Sequence, residues 1–308
     1  MKRIIILSYF FPPCNLTASQ RAFSWAKYLS KFGYYPTIIT RRWDHPIHTL
    51  KDVSMGTANE MIHEKNEYHE VYYLPYNPNL RDRIYVKHGE SGMSFIRRLL
   101  TLIEIVLSNF WNRMIPFNNL YTFAENLISK DDSYKAVIIS GNPFIQFKFG
   151  YLLNKKHNIK WIADYRDAWT TSDINNIHKN KLFRTLHFLE RRFEKKWVRT
   201  ASAITASSMP IANGIRDLTG VKENALYNGF EEDDFKFIKE RTPFETFTIT
   251  YVGTLYEGQK IEVFCKAFKQ FIDSNANSNI KLLFPGISFY KEQEKRIKNL
   301  MKGYEAYY

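Results

Sequence analysis

The chain has 308 residues, enough for two domains of ordinary size. Hydrophobic residues make up 44% and charged residues 24%, a globular composition, and no apolar run reaches membrane-spanning length without charges. Lys and Arg outnumber Asp and Glu by 44 to 31, and the net charge of +13 suits an anionic partner such as a nucleotide diphosphate, nucleic acid or acidic lipid.

Residues 3–10 are apolar and β-branched, as a central parallel strand requires. Their run ends at Pro12-Pro13 without a small-residue cleavage site, so it reads as a strand and not a signal peptide. A loop over 11–18 and a helix over 19–32 follow, with Ala22, Trp25, Ala26 and Leu29 as the buried stripe. Thr17 and Gln20 fit a capping box and Gly33 fits the stop. Strands are expected at 36–42 and 70–75, with an irregular surface excursion at 43–68 and a loop at 76–93. Helices at 95–111 and 120–130 precede a strand at 135–140, a helix at 143–157 and a strand at 160–164. A long helix at 181–199 carries Leu182, Leu186, Leu189, Phe193 and Trp197 on one face. A strand at 203–206, a helix at 209–218 and a strand at 224–227 complete a first α/β domain, residues 1–230. After a linker at 231–245, residues 246–308 begin a second sheet, with strand 247–253, helix 258–272, strand 280–285 and helix 290–301.

Ligands of an open parallel sheet gather at the carboxyl ends of its strands, and four stretches fall there. FPPCNLTASQR, with Asn15, Thr17 and Arg21, is either a loop that lets a ligand approach or a plain capped connection. SGNP presents Ser140 and Asn142, which turn chemistry alone also explains. In DYRDAW, Asp164 and Asp167 flank Arg166. They hold or deprotonate a hydroxyl, or they form an internal ion pair that orders the loop. In GTLYEGQK, Gly253 ends a strand, Gln259 can donate to a diphosphate and Lys260 can neutralise it; the alternative is an exposed lysine on a helix face. The turn matches neither G-x-G-x-x-G nor the P-loop.

No metal site is expected: His45 and His48 flank Pro46 in a loop, without the helical spacing that zinc ligands use. Cys14 and Cys265 fall in different domains with no metal-type partners, which points to a reduced, cytoplasmic compartment. No nucleic-acid-reading motif is present. The helix at 95–111 sets Arg97 and Arg98 beside Leu99, Leu100, Leu102, Ile103, Ile105, Val106 and Leu107. It either lies on an acidic membrane surface or packs into the core with a solvated edge. Arg191, Arg192, Lys195, Lys196 and Arg199 on the 181–199 helix read as a solvated face.

Taken in order, SYFFPP…R, IISGNPF, KWIADYRDAWT, AITASS, ALYNGFEEDDF and YVGTLYEGQKIEVFCKAF resemble the GT-B glycosyltransferases of family 4, closest to the branch that builds bacterial capsule, O-antigen and related surface polysaccharides. The likeness spans nearly the whole chain. It implies a complete N-terminal Rossmann-like domain for the acceptor and an incomplete C-terminal one for a nucleotide-sugar donor. It also implies a retaining reaction without a metal cofactor, the leaving diphosphate being stabilised by protein donors. By position, Gly253, Thr254, Gln259 and Lys260, with Arg21, match donor-binding positions. Asn15, Thr17, Asn142 and Arg166 match the acceptor side, and Asp164 and Asp167 the catalytic strand end.

Many members of that family carry an Arg after the first glycine of the loop and a Lys at the helix start, where this chain has Thr254 and Gln259, with Lys260 one step later. They also have paired glycines where this chain has Asn15-Leu16-Thr17, and they continue past the position of Tyr308 with a donor-gripping motif, so a truncated form with weak or absent turnover is expected. The acceptor implied is a saccharide or a lipid-linked one; the basic charge and the 95–111 helix point to peripheral contact with the inner membrane face, and no nucleic-acid partner is expected. The competing readings are a non-catalytic binding or assembly remnant of the fold, and another nucleotide-using Rossmann enzyme such as an epimerase or dehydrogenase.

Overall fold

The structure, a computed structural model, describes residues 1–89, 91–172, 181–236, 243–253, 255, 258–275, 279–287 and 291–307. They form two compact units, Met1–Phe230 and Glu231–Tyr308.

The first unit is built on β1 (Lys2–Ser8), β2 (Tyr34–Arg41), β3 (Ile62–Lys65), β4 (Glu70–Leu74), β5 (Tyr134–Gly141), β6 (Lys160–Tyr165), β7 (Ala203–Ala206) and β8 (Glu223–Ala225). They form one sheet in the order β3-β4-β2-β1-β5-β6-β7-β8. All neighbours are parallel except β3, which runs antiparallel to β4 with Ile62 opposite Tyr73. The helices are α1 (Gln20–Tyr28), α2 (Leu50–Val53), α3 (Leu80–His88), α4 (Ser94–Phe110), α5 (Asn118–Lys130), α6 (Phe147–His157), α7 (Lys181–Val198) and α8 (Met209–Thr219).

Alternation along β1 sorts its side chains onto two buried faces. Ile5 and Leu7 pack with Ile39, Val137 and Ile139 beneath Leu120 and Ala124 of α5 and Phe147 and Phe149 of α6. Ile6 packs with Ile38 and Val71 beneath Ala22 and Ala26 of α1. Helix α6 lies so close to β6 that a Cβ at Gly150 would stand 2.3 Å from the Trp161 ring, so only glycine fits.

Local chemistry departs from the sequence reading in three places. The helix expected over 19–32 is α1 flanked by 3-10 turns at Thr17–Ser19 and Leu29–Phe32. The expected capping box does not form: the Ser19 hydroxyl turns back to donate to the Leu16 carbonyl at 2.8 Å, although Gly33 does end the segment at φ +81°. Strand β3 lies inside the expected surface excursion; all four of its residues are exposed, so no alternation marked it. Helix α3 lies inside the expected 76–93 loop.

The second unit pairs β9 (Phe247–Thr250) with β10 (Ile280–Leu283) in parallel, Ile280 opposite Phe247. Helix α9 (Ile261–Ser274) buries Ile261, Cys265, Phe268 and Ile272, at helical spacing, against Leu282 and, from α10 (Lys291–Leu300) and the residues after it, Ile297 and Met301. Among the described residues no helix is long and apolar enough to cross a membrane.

Candidate functional site

From β1 the chain moves outward to β2 and β4 on one side and returns to place β5 on the other. The carboxyl ends of β1 and β5 therefore flank a topological switch point, where open sheets bind ligands. A cavity of about 350 Å³ lies there. Tyr9 and Phe10 line it from the end of β1, Tyr76 from the segment after β4, and Asn142 and Pro143 from the turn after β5.

Arg41, at the end of β2, fixes this aromatic wall. It is 2% exposed and lies over the rings of Tyr76 at 3.8 Å and Trp43 at 4.1 Å. It donates to the Tyr9 hydroxyl and to the Val53 and Met55 carbonyls at 2.6 and 2.7 Å. A desolvated cation–π contact of this kind contributes about 2 kcal/mol. Phe10 stacks on Trp43 with centroids 5.6 Å apart. Phe10 is the partly exposed ring of this set, and its free side can pack against the C–H groups of a sugar ring.

The polar wall comes from α3 and α4. Asn79 caps α3 by accepting the Asp82 amide at 2.9 Å. Buried Asp82 accepts from the Tyr76 hydroxyl and from Arg81 at 2.9 Å. Glu104 of α4 accepts from Asn79 Nδ2 at 2.7 Å and pairs with Arg81 at 3.2 Å. Burial pushes the Glu104 carboxyl above its ordinary range, against the pull of Arg81 and with the push of Asp82. Two carboxylates sharing one guanidinium beside a cavity form an array that can accept hydrogen bonds from substrate hydroxyls. Next to them the Ser108 carbonyl accepts from buried Lys148 at 2.6 Å; burial, with Lys196 adding, pulls that amine down to about 8.

Of the residues singled out in the sequence, Asn142 lines this cavity directly. Arg166 donates from Nε to the carbonyl of Gly141 in the same turn at 3.0 Å and is held half-buried. Desolvation lowers its pKa although Asp167 and Asp164 oppose this. Asp164 has no exposed surface. It accepts from Arg21 Nη1 at 2.8 Å, Thr205 at 2.7 Å and Ser140 at 3.2 Å, and burial raises its pKa against these donors. Arg21 also donates to the Leu226 carbonyl at 2.6 Å and to Asn228 at 3.0 Å. Asp164 is therefore spent on internal partners. The pair is internal, and Asp167 is the exposed carboxylate of the two. Asn15 spends its amide on the Ile47 backbone, donating at 3.1 Å and accepting at 2.9 Å, while Thr17 is exposed at the start of a 3-10 turn.

In the second unit, Gly253 follows β9 at φ +128°, a region that glycine alone enters without strain. Gln259 and Lys260 are exposed just before Ile261, the first residue of α9. Among the described residues the Lys260 side chain makes no hydrogen bond or ion pair. Thr254 lies outside the described residues. Sequence reasoning missed Arg296 of α10, which donates to the Gln259 carbonyl at 2.7 Å and pairs with Glu262 at 2.6 Å, so it braces the turn.

It also missed Asp82, Glu104 and Glu194. Glu194, on α7, accepts from Tyr165 at 2.9 Å and from Thr170, and so pins the loop that carries Arg166 and Asp167. The cap of α3 was readable, with Asn79 three residues before Asp82 and Gly89 as the stop. Nothing in the spacing of Glu104 or Glu194 marked them.

No protein-family model and no curated protein sequence matches the chain. Solved structures do. The catalytic domain of starch synthase IV from Arabidopsis thaliana, solved with ADP and acarbose, superposes with a TM-score of 0.52 at 9% identity, over 99% of this chain and 72% of that one. The fold is of the GT-B type. Arabidopsis thaliana UGT89C1, solved with UDP-L-rhamnose, matches at 0.49 and 11% identity over 97% of this chain and 67% of that one. A UDP-N-acetylglucosamine 2-epimerase described from Listeria monocytogenes matches at 0.42 and 10% identity, over 99% and 68%. At 9% identity the likeness to the starch synthase domain is one of architecture alone. The chain spans roughly two thirds to three quarters of each of these three structures.

Proposed function

We propose that the chain is a glycosyltransferase of the family 4 kind, serving surface-polysaccharide assembly, that moves a sugar from a nucleotide-sugar to a saccharide or lipid-linked acceptor. The observation that carries this reading is the cavity at the β1–β5 switch point, with an aromatic floor and the Asp82–Arg81–Glu104 array on one wall. The carboxylates of that array can accept hydrogen bonds from the hydroxyls of a polyol lying against the cavity's aromatic side.

In this reading the first unit holds the acceptor. Asn142 and Glu104 accept or donate hydrogen bonds to its hydroxyls, Arg166 shapes the turn beside it, and Asp167 is the solvent-facing carboxylate that takes up a hydroxyl proton. Arg21 and Asp164 act as a positioning pair under the loops, and Asn15 and Thr17 order the loop above β1. The second unit binds the donor diphosphate through the backbone N–H groups of the Gly253 turn, Gln259 and Lys260. As the glycosidic bond to the diphosphate breaks, charge grows on the leaving oxygen, and Lys260 stabilises it without a metal. The reaction is retaining, and it takes place at the cytoplasmic membrane face.

The test is transfer itself. Labelled nucleotide-sugars incubated for long periods with the protein and a membrane lipid extract should yield labelled glycan or glycolipid, at low turnover, in the presence of EDTA, and less with Lys260→Ala. Release of a nicotinamide-dependent product, or 2-epimerised nucleotide-sugar without transfer, would replace this reading.

A further inference from the structure

Helix α4 is amphipathic in the reverse sense. Ser94, Arg97, Thr101, Glu104 and Ser108 recur on one side and line cavities: Glu104 and Ser108 the acceptor cavity, the others a second cavity of about 360 Å³ that Arg81 and Arg98 also line. On the opposite side Phe95, Ile96, Leu99, Ile103 and Phe110 are all exposed, Phe95 by 78%, and Trp111 follows at 60%. A helix on a water-facing surface buries its apolar stripe. This one shows the stripe outward over 17 residues, roughly 25 Å of helix.

The border of the stripe is basic. Residues 80–114 carry Arg81, Arg83, Lys87, Arg97, Arg98 and Arg113 against Asp82, Glu90 and Glu104. Asp82 and Glu104 are engaged with Arg81, whereas Arg98 is exposed and makes no hydrogen bond or ion pair among the described residues. At its far end Phe110 stands edge-on to Phe193 at 5.4 Å, which carries the apolar strip onto α7, where Phe188 is exposed beside Arg191 and Arg192.

We propose that this face docks onto an anionic lipid bilayer. Helix α4 lies in the headgroup plane, with Phe95, Ile96, Leu99 and Ile103 in the acyl boundary and Arg98 among the phosphates. A second copy of the chain is the poorer occupant, because it would set the same cations against each other. Docking stands on the exposed stripe and its basic border, independent of the proposed function. What rests on the proposed function is its corollary: the wall of the acceptor cavity is the membrane-facing helix, so the acceptor is a lipid-anchored saccharide presented from the bilayer.

The full chain should co-sediment with phosphatidylglycerol-containing vesicles at low salt, far less at high salt, and not with phosphatidylcholine alone. The triple variant Ile96→Ser, Leu99→Ser, Ile103→Ser should bind at least tenfold more weakly with an unchanged circular dichroism spectrum, since these side chains support no core. Arg98→Glu should bind several-fold more weakly and with a shallower salt dependence. Wild-type protein left in the supernatant, a triple variant that binds as well as wild type, or a dimer dissolved by the triple variant without any vesicle binding would each overturn the proposal. Vesicle binding without nucleotide-sugar binding would instead remove the proposed function and leave docking standing.

Discussion

Arg21 donates to Asp164 at 2.8 Å inside the first unit, with both side chains under a tenth exposed. The same guanidinium reaches the Leu226 carbonyl and Asn228, so one side chain joins the start of α1, the end of β6 and the segment after β8. Removing one partner strands a buried charge. Asp164→Ala should cost about 3–5 kcal/mol in urea unfolding, and the double variant Arg21→Leu, Asp164→Leu should cost less than the single one. A loss below about 1 kcal/mol for the single variant would show that the pair does not hold these segments.

The cavity at the β1–β5 switch point, proposed to hold the acceptor, gives a second prediction. Asn142→Ala and Glu104→Gln should each weaken binding of short saccharides about tenfold, about 1.4 kcal/mol, as read by saturation-transfer NMR, with the melting temperature little changed. Saccharide contacts unaltered in both variants would move the acceptor elsewhere.

On the donor side, Gly253→Ala forces a side chain into φ +128° and should cost about 1–3 kcal/mol of local stability. Nucleotide-sugar affinity should fall with it. Arg296→Ala should weaken nucleotide binding less than Lys260→Ala does, because Arg296 braces the turn through the Gln259 carbonyl while Lys260 faces outward. Equal losses would place both cations on the ligand.

Glu190, on α7, supplies a pH signature. Burial and the neighbouring Glu194 carry its carboxyl from 4.5 up to about 6. The folded protein therefore holds more protons than the unfolded chain between these values, and this contribution to stability is lost as pH rises through 6. Glu190→Gln should flatten that decline and raise the melting temperature at pH 7 relative to wild type. A wild-type curve that rises across this window in step with the variant would contradict the assignment.

Continuous apolar runs made the parallel core readable: Ile5, Ile6, Leu7, Ile38 and Ile39 are all buried, as strands covered on both faces require. The pieces that escaped lack that pattern. The exposed residues of β3 carry no alternation, and α3 has no apolar stripe, its start marked only by the Asn79 cap. The stripe of α4 was visible, but a hydrophobic period does not say whether its face meets a core or the outside, and here it meets the outside. The site divided in the same way. Asn142 and the Gly253 turn were legible from strand ends and turn residues. Glu104 and Glu194 act on residues more than twenty positions away in the sequence, in pairings that only the fold creates, and Asp82 gains its place in the site from them.

The most direct test of the account is calorimetric titration of UDP-, ADP- and GDP-sugars into the protein with EDTA present. The account predicts saturable binding of at least one of them, weakened about tenfold by Lys260→Ala and untouched by chelation. No binding of any nucleotide-sugar at millimolar concentration, or binding that vanishes when divalent metal is removed, would contradict it.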